Sequence, residues 1–444
     1  MTYLPPKEEL ITGMEVYYTD TPGVGGKLRT RTRDFVVEEI SDPPERSRSG
    51  RYVIVKIRVN NWETNRLIKA LSRRLGISRQ KIGFAGTKDK RAVTTQLISI
   101  DHPEEFPKEI GLKDVEFLEV YRSEKKLELG TLLGNRFNIV IRGVRGDPGK
   151  TADLIGKTME QLNSIGGMPN FFGIQRFGSI RPVTHQIGRH ILKGDFKGAV
   201  MTYVANPSPL EPEEFQRARE RITMDMDFSE ALDYYPREYS FERTIISYLS
   251  RNDEDWTGAL EQLPLNLKMM FVHAYQSYIF NRVLSKRLKL GLPIDEPVVG
   301  DIIIPLNSKM LPDYRRTFEV TDKELNHLKG LVRKKKAFVS GPVMGTDVVI
   351  AKGEIGELER SIMDEEKVDP GDFQVTELKK ISSKGIRRNL LTPVFDLEWK
   401  TKRGNGNGER SEPQTNVHMN FSLYKGTYAT VLMREIMKTD VMDY

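Results

Sequence analysis

RYVIVKIRVNNWETNRLIKALSRRLG, residues 51–76, changes character halfway along. Its first part, RYVIVKIRV (51–59), is rich in β-branched residues and reads as a strand. Its second part, ETNRLIKALSRRLG (63–76), puts Leu67, Ile68, Leu71 and Leu75 on one helical face, with Gly76 as a stop. The same mixture extends on both sides. DFVVEEI (34–40), VTTQLISI (93–100) and RFNIVIRGV (136–144) are strand-like, TADLIGKTMEQLNSI (151–165) is helical, and Ser78 is placed to cap a short turn. SDPPERSRSG (41–50) is a polar loop. Strands separated by helices or long loops predict an α+β (mixed α/β) sheet with helices packed on one face.

From MPNFFGIQRFGSIRP (168–182), rich in glycine, aromatics and arginine, to about residue 385 the pattern is mostly helical. HQIGRHILKG (185–194) and LKMMFVHAYQSYIFNRVLSKRLKLG (267–291) are helices by this reading. VVGDIIIPL (298–306) and KAFVSGPVMGTDVVIA (336–351) are β-like pieces among them. Sheet signals return in TPVFDLEWK (392–400) and VHMNFSL (417–423), joined by RGNGNGERSEPQ (403–414), which reads as a mobile hairpin loop. GTYATVLMREIMK (426–438) closes the chain as a helix. Strand-rich ends around a mixed middle predict one domain inserted into another.

Composition narrows the chemistry. The 444 residues are 38% hydrophobic and 30% charged, which suits a two-domain globular protein. No apolar run approaches the roughly 18 residues that span a bilayer, and MTYLPPKEEL lacks a secretory pattern, so no membrane association and a cytoplasmic location are expected. With no cysteine, disulfides, thiolate nucleophiles and cysteine-held metals are excluded. The six histidines form no HExxH or HxH pair, so no metal is expected. Net charge is +7, and basic residues cluster in KLRTRTR (27–33), SRRLGISRQK (72–81), KDKR (88–91) and KGIRR (384–388). Each cluster alone reads as a solvated face; together they point to a nucleic-acid partner.

GFAGTKDKRAVTTQ (83–96) sets one carboxylate, Asp89, among Lys81, Lys88, Lys90 and Arg91. It is either a surface turn in which Asp89 breaks up positive charge, or a carboxylate kept ionised by its neighbours for use as a nucleophile. Gly83 and Gly86 permit close backbone approach, and TTQ supplies hydrogen-bonding groups on alternating strand faces. In GNRF (134–137), Asn135 and Phe137 share a face, an amide beside a ring that suits a base pocket, although spacing alone favours a turn followed by a core residue. NFFGIQRFG (170–178) surrounds Arg176 with Phe171, Phe172 and Phe177, fit for stacking on bases or for a packed elbow.

In order, RDFVVEEI (33–40), GFAGTKDKRAVTTQ (83–96), GNRFNIVIRG (134–143), PNFFGIQRFG (169–178), HAYQSYIFN (273–281), GIRR (385–388) and FSLYKGTYATVLMREI (421–436) resemble the TruD family of tRNA pseudouridine synthases. GMEVYYTDTPGVGGKLR (13–29) is similar to its archaeal branch. The resemblance implies a pseudouridine synthase catalytic domain, with a central mainly antiparallel sheet flanked by helices, and an inserted α/β TRUD domain. The expected boundaries are 1–168 and 386–444 for the catalytic domain and 169–385 for the insertion. The implied reaction isomerises uridine to pseudouridine, usually at position 13 of tRNA, with no cofactor.

By the same resemblance Asp89 matches the catalytic aspartate, and Lys88 its basic partner, stabilising the carboxylate charge. Asn135 is expected to bond the base or the aspartate loop and Phe137 to stack on uracil, with Glu39 and Phe421 at the site rim. Lys90, Arg91, Arg176, Arg387 and Arg388 are the expected RNA contacts. The attack of Asp89 on C1′, on C6, or on a 2′ proton stays open. Tyr424 stands where the family commonly has proline, and Ile386 where it often has a small hydroxyl residue. A non-catalytic RNA-binding or chaperone protein on the same scaffold is the alternative, and a hydrolase with an aspartyl nucleophile a further rival. A monomer is expected.

Overall fold

The change of character within 51–76 is a change from sheet to helix. In the computed structural model, which describes residues 3–88, 90–102, 106–107, 109–128, 131–404 and 414–444, Tyr52–Asn60 is a strand and Thr64–Leu75 a helix. Glu63 caps that helix by accepting from the Asn65 and Arg66 N–H groups, and Gly76 ends it in the left-handed region at φ 66°. Leu67, Ile68 and Leu71 are buried against Val53, Val55, Ile57, Val59, Ile98 and Ile100. Each such side chain contributes about 1.5–3 kcal/mol by leaving water.

The chain forms two compact units. The sheet unit comprises Thr21–Met168, Thr392–Thr439 and Asp443–Tyr444. Its strands are β1 (Phe35–Ser41), β2 (Tyr52–Asn60), β3 (Ile82–Phe84), β4 (Val93–Asp101), β5 (Val115–Ser123), β6 (Leu132–Arg145), β13 (Phe395–Arg403) and β14 (Gln414–Tyr424). They form one sheet in the order β13-β14-β6-β1-β4-β2-β5, with β3 paired to β4. Only β1 and β4 pair in parallel, so the mixed fold with a mainly antiparallel sheet is as expected. The edge strand β5 carries Glu116 and Glu119 and meets β2 across an irregular register, which is why its sequence has no clean alternation. The helices of this unit are α2 (Thr64–Leu75), α3 (Pro148–Ser164) and α13 (Ala429–Met437); α3 packs on β13, β14 and α13. The hairpin expected at 403–414 is framed by the Arg403–Thr415 pairing, while residues 405–413 lie outside the described ones.

The second unit comprises Met1–Asp20, Pro169–Leu391 and Asp440–Met442. It therefore takes in the N-terminal segment as well as the middle of the chain, and it ends at Leu391, beyond the GIRR block. Two of the places where the chain changes unit fall in short strands, β7 (Met168–Pro169) and β12 (Leu391–Thr392). Its helices are α1 (Lys7–Leu10), α4 (Thr184–Leu192), α5 (Phe196–Ala205), α6 (Glu213–Asp225), α7 (Phe228–Tyr234), α8 (Ser240–Leu249), α9 (Trp256–Glu261), α10 (Leu265–Lys289), α11 (Leu325–Arg333) and α12 (Gly353–Glu366). α10 is buried on most of its faces and touches α4, α12 and β10 (Ala337–Val343). A four-stranded antiparallel sheet runs β11 (Ile386–Asn389), β10, β8 (Ile302–Pro305), β9 (Phe318–Glu319). The strand expected to run to residue 351 stops at Val343, and Gly345 just beyond it lies so close to the Gly385 backbone that a Cβ would not fit.

Among the described residues, no helix is long and apolar enough to cross a membrane.

Candidate active site

Register puts several polar residues of the sheet unit on one face. Glu39 on β1 lies opposite Asn135 on β6, and Val37 opposite Phe137. Phe137 in turn lies opposite Phe421 on β14. In the parallel pair, Val37 faces Thr94 of β4, so Gln96, two residues on, shares that face. Gln96, Glu39 and Asn135 thus form a row across three adjacent strands.

Lys88 enters this row from the loop after β3. Its N–H donates to the Thr64 hydroxyl at the start of α2 (2.8 Å), which fixes the loop to the helix. Its ammonium lies 3.1 Å from Glu39 Oε2, with both side chains buried, at 5% and 1% exposure. Ser41 Oγ donates to the other Glu39 oxygen, Oε1. Gly83 and Gly86 are needed here: a Cβ at 83 would press on Ser99 Oγ at 2.6 Å, and one at 86 would crowd the Leu132 side chain at 3.0 Å.

The row is incompletely satisfied. Among the described residues, the buried atoms Asn135 Oδ1, Gln96 Nε2 and Thr94 Oγ1 have no hydrogen-bond partner, and Glu39 Oε2 has only the ammonium contact. Buried polar atoms are nearly always paired, so several orphans on one face mark a place for a ligand's own donors and acceptors. Beside them the Phe137 ring stacks on Phe421 (centroids 5.3 Å, planes 25° apart) and meets Phe35 edge-on. Phe137 and Phe421 are both buried, so they form a wall more than an open platform.

The structure thus brings together Lys88, Glu39, Asn135, Phe137 and Phe421. Glu39 and Phe421, expected at a rim, are instead enclosed within the row and its wall. Asp89 lies outside the described residues; Lys90 and Arg91, which follow it, are exposed. In the other unit, Arg176 is half-buried and donates to Ser277 Oγ (3.2 Å). Arg388 donates to Asn170 Oδ1 (2.7 Å) and covers the Phe172 ring at 4.1 Å. Arg387 departs from the expected RNA contact. It is 2% exposed, and its guanidinium pairs with both oxygens of Glu359 (2.9 and 3.0 Å), turned inward by the alternation of β11. Thr94 and Gln96 were visible in the sequence only as part of the TTQ run, and Thr64 had no local sign at all. Among the described residues, no cluster of three or more His, Asp or Glu side chains could hold a metal.

The polar row lies in the middle strands of a mainly antiparallel sheet, in a chain whose second unit takes over from the NFFG block onward. Comparison with known proteins gives the class of protein and makes it specific. The family model "tRNA pseudouridine synthase D (TruD)" matches residues 11–436, and the chain belongs to that family. It is similar to a Methanococcoides burtonii protein assigned to tRNA pseudouridine synthase D, 43% identical over 439 residues and 98% of each chain. A Thermococcus sibiricus relative of the same assignment is 36% identical over 427 residues, 95% of this chain and 97% of its own. A crystal structure from Methanosarcina mazei, assigned to tRNA pseudouridine synthase D, superposes with a TM-score of 0.83 at 40% identity, covering 99% of both chains.

Proposed function

We propose that this tRNA pseudouridine synthase isomerises uridine 13 of tRNA, with Asp89 as the nucleophile or as the base at the sugar. The observation that carries the reading is the row of buried polar atoms, without partners among the described residues, beside Glu39 and Lys88, the residue directly before Asp89 in the chain. The uridine leaves its stack at a cost of a few kcal/mol and enters this row. Asn135 and Gln96 then offer an acceptor and a donor to the imide edge of uracil, which has both kinds of group. The Phe137–Phe421 wall excludes water from one side. Lys88 supplies positive charge near the reacting carboxylate, and Glu39 holds the ammonium in place.

The reaction is an isomerisation and balances within the substrate. The N1–C1′ bond breaks, a C5–C1′ bond forms, and the proton lost from C5 is matched by one gained at N1. We further read the enzyme as a cytoplasmic monomer, which sedimentation of the purified chain would test.

Unmodified tRNA transcript, incubated with the intact protein or Asp89→Ala and mapped by chemical adduct stops in reverse transcription, tests the assignment. Modification at position 13 by the intact protein alone, with retained gel-shift binding by Asp89→Ala, supports it. Equal product from both proteins removes Asp89 from the mechanism. Binding without product from either favours the non-catalytic RNA-binding alternative.

A further inference from the structure

Three sequence blocks of the second unit have no part in the polar row: NFFGIQRFG, HAYQSYIFN and GIRR. In the structure they converge on one cavity of about 420 Å³, within the range of small-ligand pockets, roughly 300–1,000 Å³. NFFGIQRFG contributes Phe172 and Arg176, HAYQSYIFN contributes His273 and Ser277, and GIRR contributes Ile386 and Arg388. Tyr314, from a segment with no evident signal, completes it.

The lining is unusual in its chemistry. Phe172, Tyr314, Val343 and Ile386 supply apolar walls, and Arg176, Lys384 and Arg388 supply cations; no carboxylate is among the lining residues. Lys384 is 86% exposed, and its contact with Asp347 is a loose surface pair at 3.6 Å. Such a pair holds an ammonium weakly and yields to a phosphate. The fixed parts are well braced. Arg388 stacks on Phe172 at 4.1 Å, Tyr314 donates to Asn389 Oδ1 at 3.2 Å, and Gln276 donates to Ser383 Oγ at 2.8 Å. Ile386 is 48% exposed, an apolar side chain left half open at the cavity.

Flat apolar walls with cations and no anion fit a nucleobase with its phosphate. We propose that this cavity is a second nucleotide-binding subsite, taking an unpaired nucleotide of the tRNA other than the isomerised uridine. The base lies against Tyr314 and Ile386, and its phosphate meets Arg176 and Lys384. The proposal rests on tRNA being the substrate, and adds a contact by which the second unit would select it. Burial, and then the Arg176 charge, lower the His273 pKa from its ordinary value, which favours the neutral imidazole at the cavity.

The test uses the full chain and tRNA transcripts carrying 4-thiouridine or 6-thioguanosine, photo-cross-linked and mapped by mass spectrometry. Cross-links are expected on the peptides containing His273, Tyr314 or Ile386. In parallel, Ile386→Glu places a carboxylate against the base and beside the cations that would hold its phosphate, at a half-exposed position. It should weaken tRNA binding about tenfold, the loss falling on KM more than kcat, while Ile386→Thr binds within about twofold of the wild type. Wild-type binding by Ile386→Glu, or cross-links that avoid these peptides in both transcripts, overturns the subsite. Binding and cross-linking do not need turnover, so a wild-type protein that makes no pseudouridine defeats the functional reading separately.

Discussion

The two units both bury charge, but to different ends. In the second unit, Arg287 meets both oxygens of Asp301 at 2.6 and 2.8 Å, and that carboxylate also accepts from the Val298 N–H. Arg387 meets both oxygens of Glu359, one of which also takes the Ala351 N–H. Arg219 spreads its donors over Glu211, the Tyr235 hydroxyl and backbone carbonyls. In the sheet unit, Lys88 and Glu39 touch through a single contact, beside amide and hydroxyl atoms with no partner among the described residues. A buried ion whose every lone pair is used holds structure; one left partly unanswered, next to orphaned neighbours, waits for a ligand.

The largest expected effects test that contrast directly. Arg387→Ala should lower stability by about 3–5 kcal/mol, read from urea midpoints, because Glu359 is left as an unpaired buried charge. Replacing both partners, Arg387→Met with Glu359→Leu, should recover most of that loss and retain pseudouridine formation. The parallel double change in the sheet unit, Lys88→Met with Glu39→Leu, should also recover stability relative to either single change. Its rate, however, should stay at least about 100-fold down if the Lys88 charge acts on the reaction as proposed. Recovery of activity there would place Lys88 and Glu39 in the same structural class as Arg387 and Glu359.

A subtler change sharpens the same point. Asn135→Ala should reduce kcat/KM about 10- to 100-fold while moving stability by less than about 1 kcal/mol, since Asn135 Oδ1 has no hydrogen-bond partner among the described residues to lose. A large loss of stability instead would mean that the amide is part of the core.

The smallest effect is on pH dependence and lies in the second unit. His185 is enclosed between Phe177 and Tyr278, and burial pushes its pKa down to about 3. Unfolded, the same imidazole binds a proton near pH 6.5. Its neutral burial therefore costs nothing above that pH and weighs against the fold as pH falls, by up to about 1.4 kcal/mol per pH unit. Urea midpoints compared at pH 6.5 and pH 5 should show a decline that His185→Phe flattens; an unchanged slope would show that His185 is not the group responsible.

Much of this was legible along the chain. The strands at 35–41, 52–60 and 93–101 and the helices at 64–75 and 265–289 follow from local periodicity, which needs no partner to be seen. β5 escaped because an edge strand with charged residues and a broken register has no period to read. The bond from Lys88 to Thr64 and the contact of Lys88 with Glu39 escaped because they join segments far apart in sequence.

The blocks that mark the family, the lack of cysteine and the clustering of cations were determined by the sequence alone, since each is a property of residue identity and order. Which cation faces water and which faces a carboxylate was decided only by tertiary structure. Arg387 and Lys384 lie in one basic run, yet the first is sealed against Glu359 and the second is open to solvent. The difference arises because β-strand register and the packing of distant segments, rather than the local charge pattern, set the solvation of each side chain.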